Sequence, residues 1–219
     1  MTLPRLLLLT DRHQLPAGRG LVDQVTLAVE AGLRAVILRE RDLEDRERAE
    51  LAFDLTQLLA AVDGRLIVAA PELGSPHGVH LRAADPWPRT RPPLVGRSCH
   101  DAAEVQRART EAVDYLLVSP VARSESKPGY GPPLGRRTLQ RLASSRDVAG
   151  RPAVYALGGV GPGTAATWIA AGADGVAVMG AVMRADDPRV VVRALLAESR
   201  VTDRAFPHGT DDTRLGAQP

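Results

Sequence analysis

Two glycine-rich segments in the second half of the chain have the composition of a phosphate-binding site. Gly158 and Gly159 lie in ALGGVGPGT, and Gly180 follows Met179 in VAVMGA. Glycine lets backbone N–H groups approach an anion closely, and a phosphate commonly binds where the last two strands of a parallel barrel end. The alternative is that these glycines only form tight turns. Because both segments follow predicted strands, the phosphate site is favoured.

A second candidate is the segment SPVARSESKPGYG, which contains Ser124, Ser126 and Lys127. Loop hydroxyls and an ammonium group can donate hydrogen bonds to a diphosphate. A segment rich in Ser, Gly and Pro is also typical of any flexible connection. Lys127 is the only lysine, since every other side-chain cation is arginine. A single lysine among so many arginines favours a specific role for its compact ammonium group, which differs from a guanidinium in shape and hydration.

Charged residues also follow the second predicted strand, in LRER, where Arg39, Glu40 and Arg41 are consecutive. Arginine offers a planar fork of donors for phosphate or carboxylate. Neighbouring residues of a strand point to opposite faces, so we expect either Arg39 or Glu40 to face the barrel mouth. On these residues alone, however, a solvated charge run that precedes a helix is the favoured interpretation.

Around the fourth and fifth predicted strands the sequence offers metal-ligating types: His80, Asp85, Ser98, Cys99 and His100. Zinc would suit two imidazoles and a thiol, but the paired spacing of structural zinc sites is missing. His80 lies inside a predicted strand and is therefore expected to be a core histidine with hydrogen-bond partners. Asp85 is the candidate ligand for Mg²⁺, with substrate phosphates completing the coordination shell.

These residues must be positioned by short apolar segments that alternate with amphipathic ones. The apolar segments lack polar alternation, which is typical of parallel strands covered on both faces. The predicted strands are Arg5 to Thr10, Ala35 to Glu40, Arg65 to Ala70, Gly78 to Leu81, Leu94 to Cys99, Asp114 to Ser119, Ala153 to Leu157 and Gly175 to Met179. The predicted helices are Leu21 to Ala31, Asp45 to Val62, Ala102 to Ala112, Leu134 to Ser144, Thr164 to Ala171 and Pro188 to Glu198.

Only proline-containing stretches separate strand 3 from strand 4 and strand 4 from strand 5, and proline excludes a regular helix there. The pattern therefore predicts a single-domain (β/α)8 barrel over residues 1–199, an α/β TIM barrel whose helices are missing or reduced after strands 3 and 4. Residues 200–219 lack an apolar period and are expected to be a disordered tail. The surface left beside strands 3 and 4 would suit a second subunit, which predicts a homo-oligomer.

Composition excludes several classes of protein. The 28 cations and 26 acids are interspersed, giving a net charge of +2, and aromatic residues make up 3% of the chain, so no nucleic-acid surface is indicated. The single cysteine, Cys99, excludes an internal disulfide and favours a reducing compartment. No apolar run reaches membrane-spanning length. We therefore expect a cytoplasmic protein without membrane or nucleic-acid partners.

The motifs in their order resemble the thiamine phosphate synthase/TenI family from Thr10 to about Pro188. The matching segments are LTDR, LRER, GVHL followed by Asp85, SCH, DYLLVSPVARSESK, ALGGV and GVAVMGAVMRADDP. The resemblance implies a (β/α)8 barrel and a transferase reaction. In that reaction a hydroxymethylpyrimidine diphosphate loses pyrophosphate, and the nitrogen of a thiazole phosphate captures the pyrimidine to give thiamine phosphate.

The resemblance also implies roles for individual residues. Arg39, Glu40 and Arg41 fall on the pyrimidine diphosphate contact, and Ser98 on the serine of the family's STH strand end. Ser124, Ser126 and Lys127 fall on its TxTK motif, which holds the thiazole phosphate and the pyrophosphate. Gly159, Met179 and Gly180, beside Gly158, fall on the thiazole phosphate cradle, and Asp85 on one of two Mg²⁺ aspartates.

Several positions depart from the family pattern. The Asn-Asp pair after strand 3, which includes the other Mg²⁺ aspartate, is Ala69-Ala70 here, and the glutamine before LRE is Ile37. The pyrimidine half of the site is thus damaged and the Mg²⁺ site weakened, while the phosphate half is retained. One alternative is a TenI-like thiazole phosphate tautomerase, although Pro120 stands where its histidine base is expected. A non-catalytic phosphate-binding barrel and a phosphate-binding isomerase or aldolase-like barrel also remain open.

Overall fold

The computed structural model describes residues 3–69, 77–124, 132–144 and 150–200. Eight parallel strands form a closed barrel in chain order, and β8 pairs with β1. This confirms the predicted (β/α)8 barrel. The strands are β1 Leu6–Leu9, β2 Ala35–Leu38, β3 Arg65–Val68, β4 Val79–Leu81, β5 Val95–Cys99, β6 Tyr115–Val118, β7 Ala153–Leu157 and β8 Gly175–Val178.

All six predicted helices are present, and one short helix that the sequence did not predict follows β8. They are α1 Leu21–Glu30, α2 Asp45–Ala60, α3 Ala102–Thr110, α4 Gly135–Ala143, α5 Ala165–Ala170, α6 Gly180–Met183 and α7 Pro188–Arg200, with a 3₁₀ turn at Arg12–Gln14. The connection between β4 and β5, residues 82–94, contains no helix, as predicted. Most of the connection between β3 and β4 lies outside the described residues.

Two tyrosines fill the interior of the barrel. Tyr115 on β6 lies opposite Gly96 on β5, and Tyr155 on β7 lies opposite Gly175 on β8. A Cβ atom at either glycine would overlap the facing tyrosine ring, so each tyrosine ring fits only because its partner residue is glycine. The two rings meet edge to face with their centroids 6.0 Å apart, an arrangement that aromatic pairs prefer.

A buried arginine takes the place of a helix after β4. Arg97 on β5 is 1% exposed, and its Nη1 donates to the carbonyl oxygens of Arg82, Ala83 and Asp85 at 2.9, 3.2 and 2.8 Å. Its charge is balanced by Glu111, 2.8 Å away. One guanidinium thus binds three carbonyl oxygens of the connection between β4 and β5. These hydrogen bonds hold that connection in place, although no helix packs there. The predicted second subunit on this side stays a prediction.

The chain beyond α7 is not described, so the predicted disordered tail of residues 200–219 falls, except for Arg200, outside the described residues. Among the helices of the described residues, none has both the length and the apolar character needed to cross a bilayer.

Candidate active site

A cavity of about 580 Å³ opens where the strands end at their carboxyl termini. Its volume falls within the range of small-molecule sites, about 300 to 1,000 Å³. Its floor is apolar and is formed by Leu9, Ile37, Ala69, Leu157 and Ala177. Polar groups form the rim, as expected for a TIM barrel, whose loops after the strands carry the chemistry.

Two glycines follow β7 in a conformation that other residues rarely adopt. Gly158 has φ +95° and Gly159 has φ +67°. A Cβ at Gly158 would lie 2.9 Å from the Cα of Pro120, and one at Gly159 would collide with the carbonyl oxygen of Arg123. Both the positive φ and the close approach therefore require glycine here.

The end of β8 continues directly into the short helix α6. Met179 and Gly180 line the cavity at this junction, and Gly180 is buried. The first N–H groups of a helix have no acceptor within the helix. Together Gly158, Gly159, Met179 and Gly180 form the glycine side of the cavity, where an anion would be met by backbone groups.

The connection after β6 is held against the glycine side. The N–H groups of Val121 and Ala122 donate to the carbonyls of Leu157 and Gly158 at 2.9 and 3.0 Å. Ser124 comes two residues after this hydrogen-bonded segment and lines the cavity. The predicted site residues Ser126 and Lys127 lie outside the described residues.

The three charged residues after β2 separate into two roles. Arg39 and Arg41 line the cavity, whereas Glu40 is turned away and its side chain is 2% exposed. The Glu40 carboxylate accepts hydrogen bonds from Arg12, from the backbone N–H at 3.2 Å and from Nη1 at 3.1 Å. Glu40 thus anchors the connection after β1, and Arg39 is the residue of the pair that faces the mouth.

Arg41 is anchored at the end of β3. Its Nε donates to the carbonyl oxygen of Ala69 at 3.1 Å, and Nη2 of the buried Arg48 donates to the same oxygen at 2.9 Å. Burial lowers the pKa of Arg41, and the charges of Arg82, Arg39 and Arg48 lower it further. The cationic groups here repel one another, which an incoming anion would relieve. Arg39, Arg41 and Arg82 are the arginine side of the cavity.

Sequence reasoning missed three of the cavity arginines. Arg82, Arg123 and Arg184 line it together with Arg39 and Arg41, and no Asp or Glu lines it within the part of the chain that the structure describes. A signal was present, because each missed arginine follows shortly after the end of β4, β6 or β8. Connections that follow the strands of a barrel meet at one face, whatever their separation in sequence.

Behind Ser98, which lines the cavity, lies a hydrogen-bonded chain of side chains. The Ser98 hydroxyl is 2.9 Å from Nε2 of His80, whose Nδ1 is 3.1 Å from the Tyr115 hydroxyl. His80 is 3% exposed, and burial, followed by the charge of Arg41, lowers its pKa to about 3. The ring is therefore neutral and donates through one nitrogen only. This confirms His80 as a core histidine with partners, and it fixes the position of the Ser98 hydroxyl.

The other histidine of the predicted cluster, His100, lines the cavity beside Ser119. Its Nδ1 lies 2.8 Å from the Ser119 carbonyl oxygen, so this nitrogen carries the proton and donates. That bond fixes the ring at the mouth, next to the connection after β6.

The surroundings of Asp85 do not fit a divalent cation. Its carboxylate accepts from the backbone N–H and from Nε of Arg82, both at 2.8 Å, and it does not line the cavity. Partial burial acts to raise the pKa of Asp85, but the bonds and charge of Arg82 outweigh it and hold the pKa below its ordinary value. No group of three or more His, Cys, Asp or Glu side chains could hold a metal ion in the described ranges.

Comparison with known proteins places this chain in a family. A family model described as thiamine monophosphate synthase matches residues 6–182. The chain is 36% identical to the thiamine-phosphate synthase of Albidiferax ferrireducens over 203 residues, covering 87% of this chain and 90% of that protein. It is 34% identical to the thiamine-phosphate synthase of Roseiflexus castenholzii over 199 residues, covering 85% and 84%. The solved structure of a thiamine phosphate pyrophosphorylase from Pyrococcus furiosus superposes with a TM-score of 0.75 at 26% identity, covering 89% of this chain and 95% of that one.

Proposed function

This chain belongs to the thiamine monophosphate synthase family, and we propose that it joins a hydroxymethylpyrimidine diphosphate to a thiazole phosphate, releasing pyrophosphate and forming thiamine phosphate. The observation that carries this proposal is the two-sided cavity. Its glycine side and its arginine side line one cavity with an apolar floor, and each offers groups that suit an anion, backbone on one side and guanidinium groups on the other. A reaction between two phosphorylated substrates needs such a pair of regions.

The reaction breaks one bond and forms one, without oxidation or reduction. The C–O bond between the pyrimidine methylene carbon and the diphosphate breaks, and its electron pair leaves with the pyrophosphate. The lone pair of the thiazole nitrogen then forms the new C–N bond to that carbon. Negative charge grows on the departing pyrophosphate, so fixed cations beside it lower the barrier.

The arginine side is suited to that charge. Arg39 and Arg41 line the cavity as guanidinium groups, which bind phosphate oxygens through parallel hydrogen bonds. We assign Lys127 and Ser126 to the same pyrophosphate on sequence grounds alone.

The glycine side is assigned to the thiazole phosphate. Positive φ angles at Gly158 and Gly159 turn the backbone at the end of β7, and Gly180 begins α6 beside it. The Ser124 hydroxyl is near enough to the rim to add a donor. The thiazole nitrogen would then point inward over the apolar floor, where Ile37 and Ala177 are fully buried and exclude water that would compete for the carbon.

Ser98 is assigned to the pyrimidine. Its hydroxyl is held by the neutral His80, so it presents a fixed hydrogen-bonding group beside a floor that is otherwise apolar at Ile37 and Ala69. A fixed hydroxyl orients a heterocycle at little entropic cost.

The test is product formation by the full chain. The protein is incubated with both substrates, once with Mg²⁺ and once with EDTA, and thiamine phosphate is measured after oxidation to its fluorescent thiochrome. We expect product with the wild type and loss of product with Lys127→Ala. Arg46→Ala, on the exposed outer face of α2, is the control and should retain activity. No product under either condition would contradict the proposal.

One observation favours a second candidate function. Ile37 and Ala69 stand where the family resemblance expects a glutamine and an asparagine, so the floor offers the pyrimidine fewer donors and acceptors. A protein that binds or isomerises a thiazole phosphate would not need them. Binding of thiazole phosphate by itself, with no thiamine phosphate formed when the pyrimidine diphosphate is added, would identify this second function.

A further inference from the structure

The donor set around Asp85 and the end of β3 disagrees with a magnesium site. Both oxygens of the Asp85 carboxylate accept hydrogen bonds from Arg82, and the sequence has alanine at Ala69 and Ala70, where the resemblance expects the Asn-Asp pair. Mg²⁺ is normally held by one or two carboxylates together with substrate phosphates. No described residue that lines the cavity carries a carboxylate.

Cationic side chains stand in the same region. The Arg41 guanidinium is held by its Nε on the Ala69 carbonyl, at the end of the strand where the magnesium aspartate is expected. Arg82 donates hydrogen bonds from its backbone N–H and its Nε to the Asp85 carboxylate, and it also lines the cavity. A divalent cation placed between these guanidinium groups would be repelled by both, whereas a diphosphate would be attracted.

We propose that Arg41 and Arg82 replace the divalent cation in this protein, so that its diphosphate ligand binds without Mg²⁺. This inference rests on the proposed function and names how that site binds the leaving group. Guanidinium forks match phosphate oxygens in pairs, and their orientation is already fixed by the Ala69 carbonyl and the Asp85 carboxylate. Fixed donors bind with less loss of side-chain entropy than mobile ones.

The experiment measures binding of inorganic pyrophosphate to the full chain by titration calorimetry, in EDTA and in millimolar Mg²⁺. We expect binding in EDTA that is at least as tight as in Mg²⁺. Arg41→Gln should weaken binding in EDTA by about 10-fold or more, because it removes a charge-assisted contact. Arg41→Lys should restore only part of the affinity, because it keeps the charge and loses the fork. Arg46→Gln, an exposed arginine on α2, should bind as the wild type does.

Thermal unfolding of each variant shows that it folds. Binding that disappears in EDTA, or that is unchanged in Arg41→Gln, would overturn the inference. The two experiments can distinguish a failure of this inference from a failure of the proposed function. Pyrophosphate binding in EDTA without thiamine phosphate formation would refute only the synthase, whereas product formation that requires Mg²⁺, with no pyrophosphate binding in EDTA, would refute only the replacement of the metal.

Discussion

The glycine side and the arginine side of the cavity are suited to anions in different ways. On the glycine side the backbone itself is shaped, with φ +95° at Gly158 and +67° at Gly159, and no long side chain is needed. On the arginine side long side chains reach the cavity from the connections after β2 and β4 and are held by Ala69 and Asp85. A site made of backbone tolerates almost no substitution, whereas one made of side chains can be rebuilt by exchanging them. We therefore expect the glycine side to tolerate substitution less well than the arginine side.

The largest effect is expected from a side chain on the glycine side. Gly159→Val places a β-branched residue at φ +67°, where its Cβ meets the Arg123 carbonyl and lies 2.8 Å from the Ala122 Cβ. The backbone must move, and a displacement of about 1 Å at a binding group can cost about 100-fold in activity. We expect kcat/KM for the thiazole phosphate to fall by that order, measured by thiochrome fluorescence.

Gly161→Ala is the matched control, because a Cβ there would have its nearest neighbour, the Ala181 Cβ, at an ordinary contact distance of 3.8 Å. It should keep wild-type kinetics. A folded Gly159→Val protein with wild-type KM for the thiazole phosphate would break the comparison, since the backbone would then not be what binds the anion.

A smaller effect is expected from Glu40, which lies between Arg39 and Arg41 of the arginine side in the sequence. Its carboxylate does not line the cavity but accepts a hydrogen bond from Arg12 and so holds the connection after β1 in place. Glu40→Gln removes the charge while keeping the shape, and leaves Arg12 with the exposed Asp42 as its acidic partner. The free energy of unfolding should fall by about 1 to 3 kcal/mol in urea denaturation.

Glu50→Gln is the control for that variant, because Glu50 pairs with Arg46 on the exposed face of α2. Its unfolding free energy should stay within about 0.5 kcal/mol of the wild type. Equal effects of the two substitutions would mean that Glu40 is an ordinary surface charge.

The barrel and the glycine side could be predicted from the sequence for a shared reason. Strand periodicity and glycine at strand ends are local signals, and a parallel barrel brings all such ends to one face. Glu40 shows where local signals stop. Alternation predicted that either Arg39 or Glu40 would face the mouth, and Arg39 is the one that lines the cavity. The contact of Glu40 with Arg12, 28 residues away in the sequence, is visible only in the folded chain.

The missed arginines have the same physical origin. Arg82, Arg123 and Arg184 lie in connections whose direction depends on hydrogen bonds to distant segments, such as that of Arg97 to the Arg82 carbonyl. Nothing in the residues next to Arg82 in the sequence encodes that contact. The places of these arginines after strand ends point to the mouth, but the hydrogen bonds that direct them into one cavity form only in the folded chain, which as a whole is close to neutral.

The smallest predicted effect concerns His80, which lies next to the arginine side. Burial and the charge of Arg41 lower its pKa from 6.5 to about 3. Between these values the unfolded chain binds a proton that the folded chain does not. The protein should therefore lose stability as the pH falls from 6.5 towards 3, and the His80 contribution is fully present above 6.5. Linkage gives about 1 kcal/mol between pH 7 and pH 5.5 for this group.

His80→Gln isolates this contribution, because glutamine keeps hydrogen-bonding groups near Ser98 and Tyr115 but does not titrate. Its unfolding free energy in urea should be lower than that of the wild type at pH 7 and should fall less steeply between pH 7 and pH 5.5. All other titrating groups are common to the two proteins, so the difference in slope reports His80 alone. Parallel slopes would mean that His80 takes up its proton as readily in the folded state as in the unfolded one, so that neither its burial nor the charge of Arg41 lowers its pKa.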